Sequence, residues 1–320
     1  MAVTSDPATN VNLAAMIPEV WTEIVNRPNY PKAVFMNFFK DLTPYVTEGG
    51  DICHVPGIYT STAPTNAFAE SLFGTVAGTA DVQGTQGAEI TTAVDTMVDV
   101  TLTVNTHAYV AWLIGDKDMA QLATKYNLNE EYAMAAKGLV TQTIEKAIAA
   151  LWSSLSTTAV GDTTTVLSDA EIIEAIYDLD NYNFDLNETA FFFHPFVFWR
   201  QLGSISKYYS QYASQLNFIK DGSFGPMDAS RGLRGQLYGI PVYVTTNIVS
   251  ALQTFRNIYA HRSAIGFAFA KLWPTRVRAQ SAYLLQNLAT LAVVDTCFGV
   301  AVLRGYAGVC VNANNSAITS

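Results

Sequence analysis

Charge is the scarcest feature of this chain. Only 14% of its 320 residues are charged, against roughly 25% in ordinary soluble domains. The deficit is uneven: residues 41–116 and residues 147–199 contain no Lys or Arg at all. With 50% apolar residues, the chain is excluded from the disordered class, which needs low hydrophobicity and high charge. Three cysteines, Cys53, Cys297 and Cys310, are too few and odd in number for a disulfide scaffold. They read as small apolar residues in a reducing compartment. No apolar run approaches the roughly 18 residues of a membrane helix; the stretch from Ala264 to Ala270 is typical. The first basic residue is Arg27, so a secretory n-region is missing and a cytosolic origin is expected.

Catalytic signatures are missing too. There is no G-x-x-x-x-G-K-[ST], no G-x-S-x-G and no H-E-x-x-H, and the four histidines are scattered. Cys53 and His54 are neighbours, but adjacent strand residues point to opposite faces and cannot form a dyad. Asp178, Asp180, Asn183 and Asp185 fail the calcium-loop pattern, because positions 5 and 6 counted from Asp178 are Tyr182 and Asn183. No catalytic, cofactor or metal residue is assigned. The aromatic group Phe191, Phe192, Phe193, Phe196, Phe198 and Trp199 reads as core.

The charges that are present are segregated. Residues 41–116 hold nine acids, including Glu48, Asp51, Glu70, Asp81 and Glu89, while residues 200–320 hold eleven bases and three acids. The bases are dispersed singly, which does not suit a nucleic-acid patch. The alternatives are ordinary solvated surface and complementarity between segments or subunits. Low charge in a large chain fits either an unusually large core or a surface covered by other subunits.

Ile17, Val20, Trp21, Ile24 and Val25 share one helical face, with Pro18 in the first turn and Pro28 and Pro31 beyond the end. Phe35, Phe38, Phe39 and Leu42 form a second short amphipathic piece. Residues 97–104 alternate as a strand, and residues 61–88 are rich in turn formers. Strand, weak tip and strand describe a long hairpin that has no core of its own. Residues 127–155 predict a helix of roughly 40 Å, opened by Asn127 with Glu130, with Leu128, Tyr132, Ala136, Leu139, Thr143, Ala147 and Leu151 facing inward. Ser168 and Glu171 form a capping box for a second helix lined by Ile172, Ile173, Ile176, Tyr177 and Leu179. Strands are expected at Ala190–Phe193, Gln236–Thr245 and Asn257–Ala260, and a helix at Ser263–Phe269. Further strand runs follow at 276–279, 288–296, 300–306 and 307–311. The class is α+β with antiparallel closing strands.

This order of parts resembles the major capsid protein of tailed bacteriophages, with the Hong Kong 97-type fold. Three stretches are similar to the family's sequence habits: residues 233–242 (LRGQLYGIPV), 261–266 (HRSAIG) and 294–300 (VDTCFGV). The resemblance implies an N-terminal arm (1–44), an extended E-loop hairpin (45–112) and a P domain with a spine helix (113–160). An A domain (161–271) and returning P-domain strands with a C-terminal tail (272–320) complete it. It also implies a non-enzymatic subunit that self-assembles into pentamers and hexamers of an icosahedral head around double-stranded DNA, bound without sequence specificity. Assembly in the host cytoplasm, residence in the virion, a portal, decoration proteins and no membrane partner belong to the same expectation. The chain lacks a long charged N-terminal extension, so scaffolding is expected from a separate protein. Two other readings are an encapsulin-like nanocompartment shell and a cytosolic enzyme whose site is not visible. Glu48, Asp51, Glu70, Asp81 and Glu89 are the candidate intersubunit acids. Arg276 and Arg278, on one face of a strand, are their candidate partners, the alternative being pairing within the subunit.

Overall fold

Five consecutive buried residues, Thr189–Phe193, form the strand β5 at the centre of the molecule. Its alternation sends Phe192 into one hydrophobic core and Phe191 with Phe193 into another. A strand covered on both faces reads as a continuous apolar run, which is how it stands in the sequence. The computed structural model describes residues 32–46, 50–57, 98–117, 128–155, 157–162, 164–202, 233–248, 250–251, 254–270 and 277–314.

In chain order the elements around β5 are α1 (Phe35–Phe38), β1 (Lys40–Asp41), β2 (Ile52–Gly57), β3 (Val98–Thr103) and β4 (Thr106–Gly115). The helix α2 (Leu128–Ala150) and then α3 (Asp169–Asn181) precede β5. After it come β6 (Leu233–Leu237), β7 (Ile240–Val244), β8 (Ser250–Ala251), β9 (Thr254–His261) and β10 (Ile265–Phe269). The chain closes with β11 (Arg278–Leu284), β12 (Ala289–Val302) and β13 (Gly308–Asn314).

Two sheets and a ribbon result. The first runs β1-β10-β12-β11, with β4 on β12 as well; the second runs β13-β9-β5-β7-β6, with β8 on β9. The ribbon pairs β2 with β3, Ile52 opposite Thr103 and Gly57 opposite Val98. Most pairings are antiparallel, while β1–β10 and β5–β7 are parallel.

The spine helix α2 is present, and the face it buries is partly the expected one: Ala136 is buried, and Ala147 and Leu151 pack against the core. Ala136, Val140, Ile144, Ile148 and Trp152 point into the core, whereas Tyr132, Leu139 and Thr143 are exposed. Regular steps of four, ending in the 3-10 turn Leu151–Ser154, carry the large side chains inward against Phe35, Phe192 and Phe298. Asn127 lies outside the described residues.

In α3 the capping box forms as read: the Glu171 carboxylate accepts the Ser168 N–H at 2.6 Å, and the Ser168 hydroxyl accepts the Glu171 N–H. Ile172, Ala175 and Leu179 are buried, but Ile173 and Tyr177 stand exposed, so the buried stripe is narrower than expected.

Ser263–Phe269 is not a helix. Residues Ile265–Phe269 form β10, every residue buried between β1 and β12. The expected single strand Gln236–Thr245 is a hairpin, β6 to β7, turning at Tyr238 and Gly239 with φ of 55° and 83°. Two successive positive φ values are what a two-residue turn with strand-matched twist requires. The expected runs 288–296 and 300–306 are largely one 14-residue strand, β12.

Candidate assembly surfaces

The base of the β2–β3 ribbon is the first surface. Cys53 and Leu102 are opposite one another and buried, and with Leu42, Val46, Val104, Ala268 and Leu303 they make a small core. The Val104 N–H donates to the Asp51 carbonyl at 2.6 Å, closing the ribbon. On the other face the His54 ring meets the exposed Asp99 carboxylate at 2.7 Å. Cys53 and His54 thus point opposite ways, as adjacent strand residues must. Cys53, Cys297 and Cys310 are all free thiols, and burial pushes the Cys310 thiol up to about 11. Among the described residues, no group of three His, Cys, Asp or Glu is placed to hold a metal ion.

The second surface is the sheet formed by β4, β12 and β11. Arg278 and Asp295 are directly opposed on β11 and β12. The guanidinium grips the nearly buried carboxylate with two bonds, Nε to Oδ1 at 3.0 Å and Nη2 to Oδ2 at 2.6 Å. From β4, the His107 ring reaches the same carboxylate at 3.1 Å. The paired Arg278 bonds hold the Asp295 carboxyl below its ordinary range, and the same bonds raise Arg278. This is the bidentate geometry expected of Arg278, with its partner in its own chain. The signal in the sequence was Asp295, one of only three acids after residue 199.

Asp51 is exposed at the foot of the ribbon. Glu48, Glu70, Asp81, Glu89 and Arg276 lie outside the described residues. Arg278→Glu should therefore lower subunit stability by placing two carboxylates face to face, and Arg278→Glu combined with Asp295→Arg should recover part of the loss. A double-mutant cycle in urea checks this; fully additive effects would count against the pairing.

Beyond Arg278 the turn of the β11–β12 hairpin carries no charge of its own, and the Asp116 carboxylate beyond β4 accepts from the Tyr283 hydroxyl there. Residues 279–294 contain no Asp, Glu, Lys or Arg. At the turn, Leu285 and Leu288 are 79% and 63% exposed, with Leu113 of β4 exposed as well. Leu288 also has φ of 46°, a left-handed conformation that costs a branched residue roughly 1–2 kcal/mol.

A third feature escaped the sequence reading. Glu145, in the middle of α2, is fully buried and accepts the N–H groups of Val34, Phe35 and Met36, each at 3.0 Å. It caps α1 from a distant element and ties residues 34–36 to α2. Burial raises its carboxyl above the ordinary value, opposed by the three backbone bonds. In the sequence it stands beside Lys146, as an ordinary solvated charge pair would, so no local signal marked it.

No family model matches the chain, and no curated protein matches it in sequence. Its structure matches several solved ones. A chain from Mycobacterium phage Che8 superposes with a TM-score of 0.66 at 19% identity, over 92% of this chain and 96% of that one. The capsid of the cyanophage P-SCSP1u gives 0.65 at 12% identity, covering 95% of both chains. The capsid of Ralstonia phage GP4 gives 0.63 at 11% identity, over 100% of this chain and 99% of that one. The chain thus has, along essentially its whole length, the mixed helix-and-strand fold of these phage capsid chains.

Proposed function

We propose that this chain is the major capsid protein of a tailed bacteriophage. It builds an icosahedral head from pentamers and hexamers of itself and encloses double-stranded DNA without reading its sequence. The observation that carries the reading is the nearly end-to-end structural match to phage capsid chains, covering 95% or more of each. The role is structural rather than enzymatic.

The parts are assigned as in the Hong Kong 97-type subunit. Residues 1–44 are the N-arm and 45–112 the E-loop, with the β2–β3 ribbon as its stem. Residues 113–160 with α2 belong to the P domain, 161–271 to the A domain, and 272–320 return to the P domain. β13 joins β9 in the second sheet, so the last crossing ties the two parts together. Charge segregation supports the mode of assembly. Glu48, Asp51, Glu70, Asp81 and Glu89 would meet basic surface of a neighbour, Arg276 included. Until that surface is presented, like charge keeps premature contacts weak. A separate scaffolding protein, a portal and decoration proteins are the other partners of this reading. Electron microscopy of the protein produced together with the other head proteins of its source tests it: uniform closed shells containing this chain are expected, and a chain that never enters particles would refute it.

The same reading predicts how the shell is not held. Residues 41–116 contain no Lys, so the E-loop cannot supply an amine for an isopeptide link to a neighbour. Mature particles boiled in detergent should release 34.8 kDa monomers. A covalent ladder mapped to this loop would contradict the prediction.

A further inference from the structure

The spine helix α2 has two apolar stripes, and only one is used by the core. The other, Tyr132, Ala135 and Leu139 with the edge of Ala136, lines an open groove of about 180 Å³ against Val110 and Trp112 of β4. Tyr132 and Leu139 are 45% and 39% exposed along it. The Trp112 ring meets Tyr132 edge-on, with centroids 6.1 Å apart, and its buried indole N–H has no acceptor. That N–H is enclosed by protein, so what the groove presents to an occupant is its apolar wall, which suits apolar side chains.

The sequence contains a matching apolar face. Ile17, Val20, Trp21, Ile24 and Val25 recur at helical spacing, an amphipathic pattern that must cover its apolar side. The connection is short. Residues 34–36 are gripped by Glu145 of α2. Leu139 and Ala135 stand about 9–15 Å along the helix from Glu145 and roughly a third of a turn or less around it. The eight residues 26–33 can span up to about 26 Å when extended. Pro28 and Pro31 favour that extended form and end any helix before it.

We propose that residues Ile17–Val25 dock, within the same subunit, into the groove between α2 and β4. The apolar face fills the groove over Tyr132 and Leu139. Glu145 then serves as the anchor that keeps the segment on its own subunit. This concerns the single subunit and does not depend on the coat-protein reading.

The test uses the full chain kept unassembled, with hydrogen exchange read by mass spectrometry. Amides of residues 17–25 should exchange about tenfold more slowly in the wild type than in Ala135→Glu, which places a charge in the groove. Residues 140–148 should be equally protected in both, showing that the fold is intact. A second measurement needs no groove charge: Ile24→Cys with Leu139→Cys should form a disulfide within the monomer on oxidation. Residues 17–25 exchanging freely in the unassembled wild type, or protection untouched by Ala135→Glu, would overturn the proposal. So would a disulfide that forms only between two chains, which would make a second copy the occupant.

Discussion

Glu145→Ala is expected to destabilise the isolated subunit by about 2–4 kcal/mol. The variant leaves the buried N–H groups of Val34 and Phe35 without acceptors, and the half-buried one of Met36 as well. Each buried orphan costs about 1–3 kcal/mol, and removing the buried charge returns part of that. Water cannot substitute easily, because Val34 and Phe35 are buried in the same core as Trp152 and Phe192. Urea denaturation measures the loss; wild-type stability would contradict the capping role. Glu145→Gln should fall between, since its single carbonyl cannot accept all three donors while its NH2 faces one of them.

The same residue predicts a pH dependence. Burial is the dominant influence and raises the Glu145 carboxyl above its ordinary 4.5. A raised carboxyl means that the folded protein holds the proton more tightly than the unfolded chain does. Its contribution to stability is therefore fully present below 4.5 and is lost as pH rises through the folded value. Glutamine does not titrate. The stability advantage of the wild type over Glu145→Gln should shrink as pH is raised from below 4.5. A difference that stays flat with pH, or widens, would show that the carboxylate is not held against burial.

Glu145 also illustrates what the sequence did not make legible. It shares α2 with Glu130, Glu131, Lys137 and Lys146, so its burial is not visible in the sequence, and its partners are backbone groups more than a hundred residues away, which no local pattern records. β5 was readable because a strand covered on both faces is a short, continuous apolar run. β10 has the same character, yet Ser263–Phe269 reads equally well as a helix, because a run without polar punctuation has no period. The face of α2 was partly misassigned for a related reason. The helix carries two apolar stripes, and only the tertiary fold decides which one meets Phe35 and Phe298. The candidate site divides similarly. The geometry expected of Arg278 is present, but its partner depends on the register of the β11–β12 hairpin, which places Asp295 opposite it. That register is set by pairing along seven residues, not by anything adjacent to Arg278.

Gly299→Ala is expected to dislodge the ribbon. Gly299 lies on β12 where the chain leaving β3 crosses it. A Cβ at this position would overlap the Thr103 carbonyl and come within 3.0 Å of the Val104 Cα. Both obstacles are backbone, so no rotamer change relieves the clash, and one strand must move. Overpacking of this kind costs about 1–3 kcal/mol, occasionally more. The strand that can give is β3, because β12 is held by β4, β10 and β11 while β3 pairs only with β2 among the described residues. Displacing β3 strains the Val104 to Asp51 bond and opens the small core of Cys53, Leu102 and Leu303. The ribbon would then leave the body at a different angle, while the two main cores, which do not include it, stay closed. Gly299→Ala should show faster hydrogen exchange in residues 52–57 and 98–103 with unchanged protection of β5 and α2. Under the coat-protein reading it should also yield few closed shells by electron microscopy, because the stem that aims the E-loop has moved. Gly299→Val should be worse on both counts. Native exchange in the ribbon together with normal shells would show that the close approach at Gly299 does not set the ribbon's position.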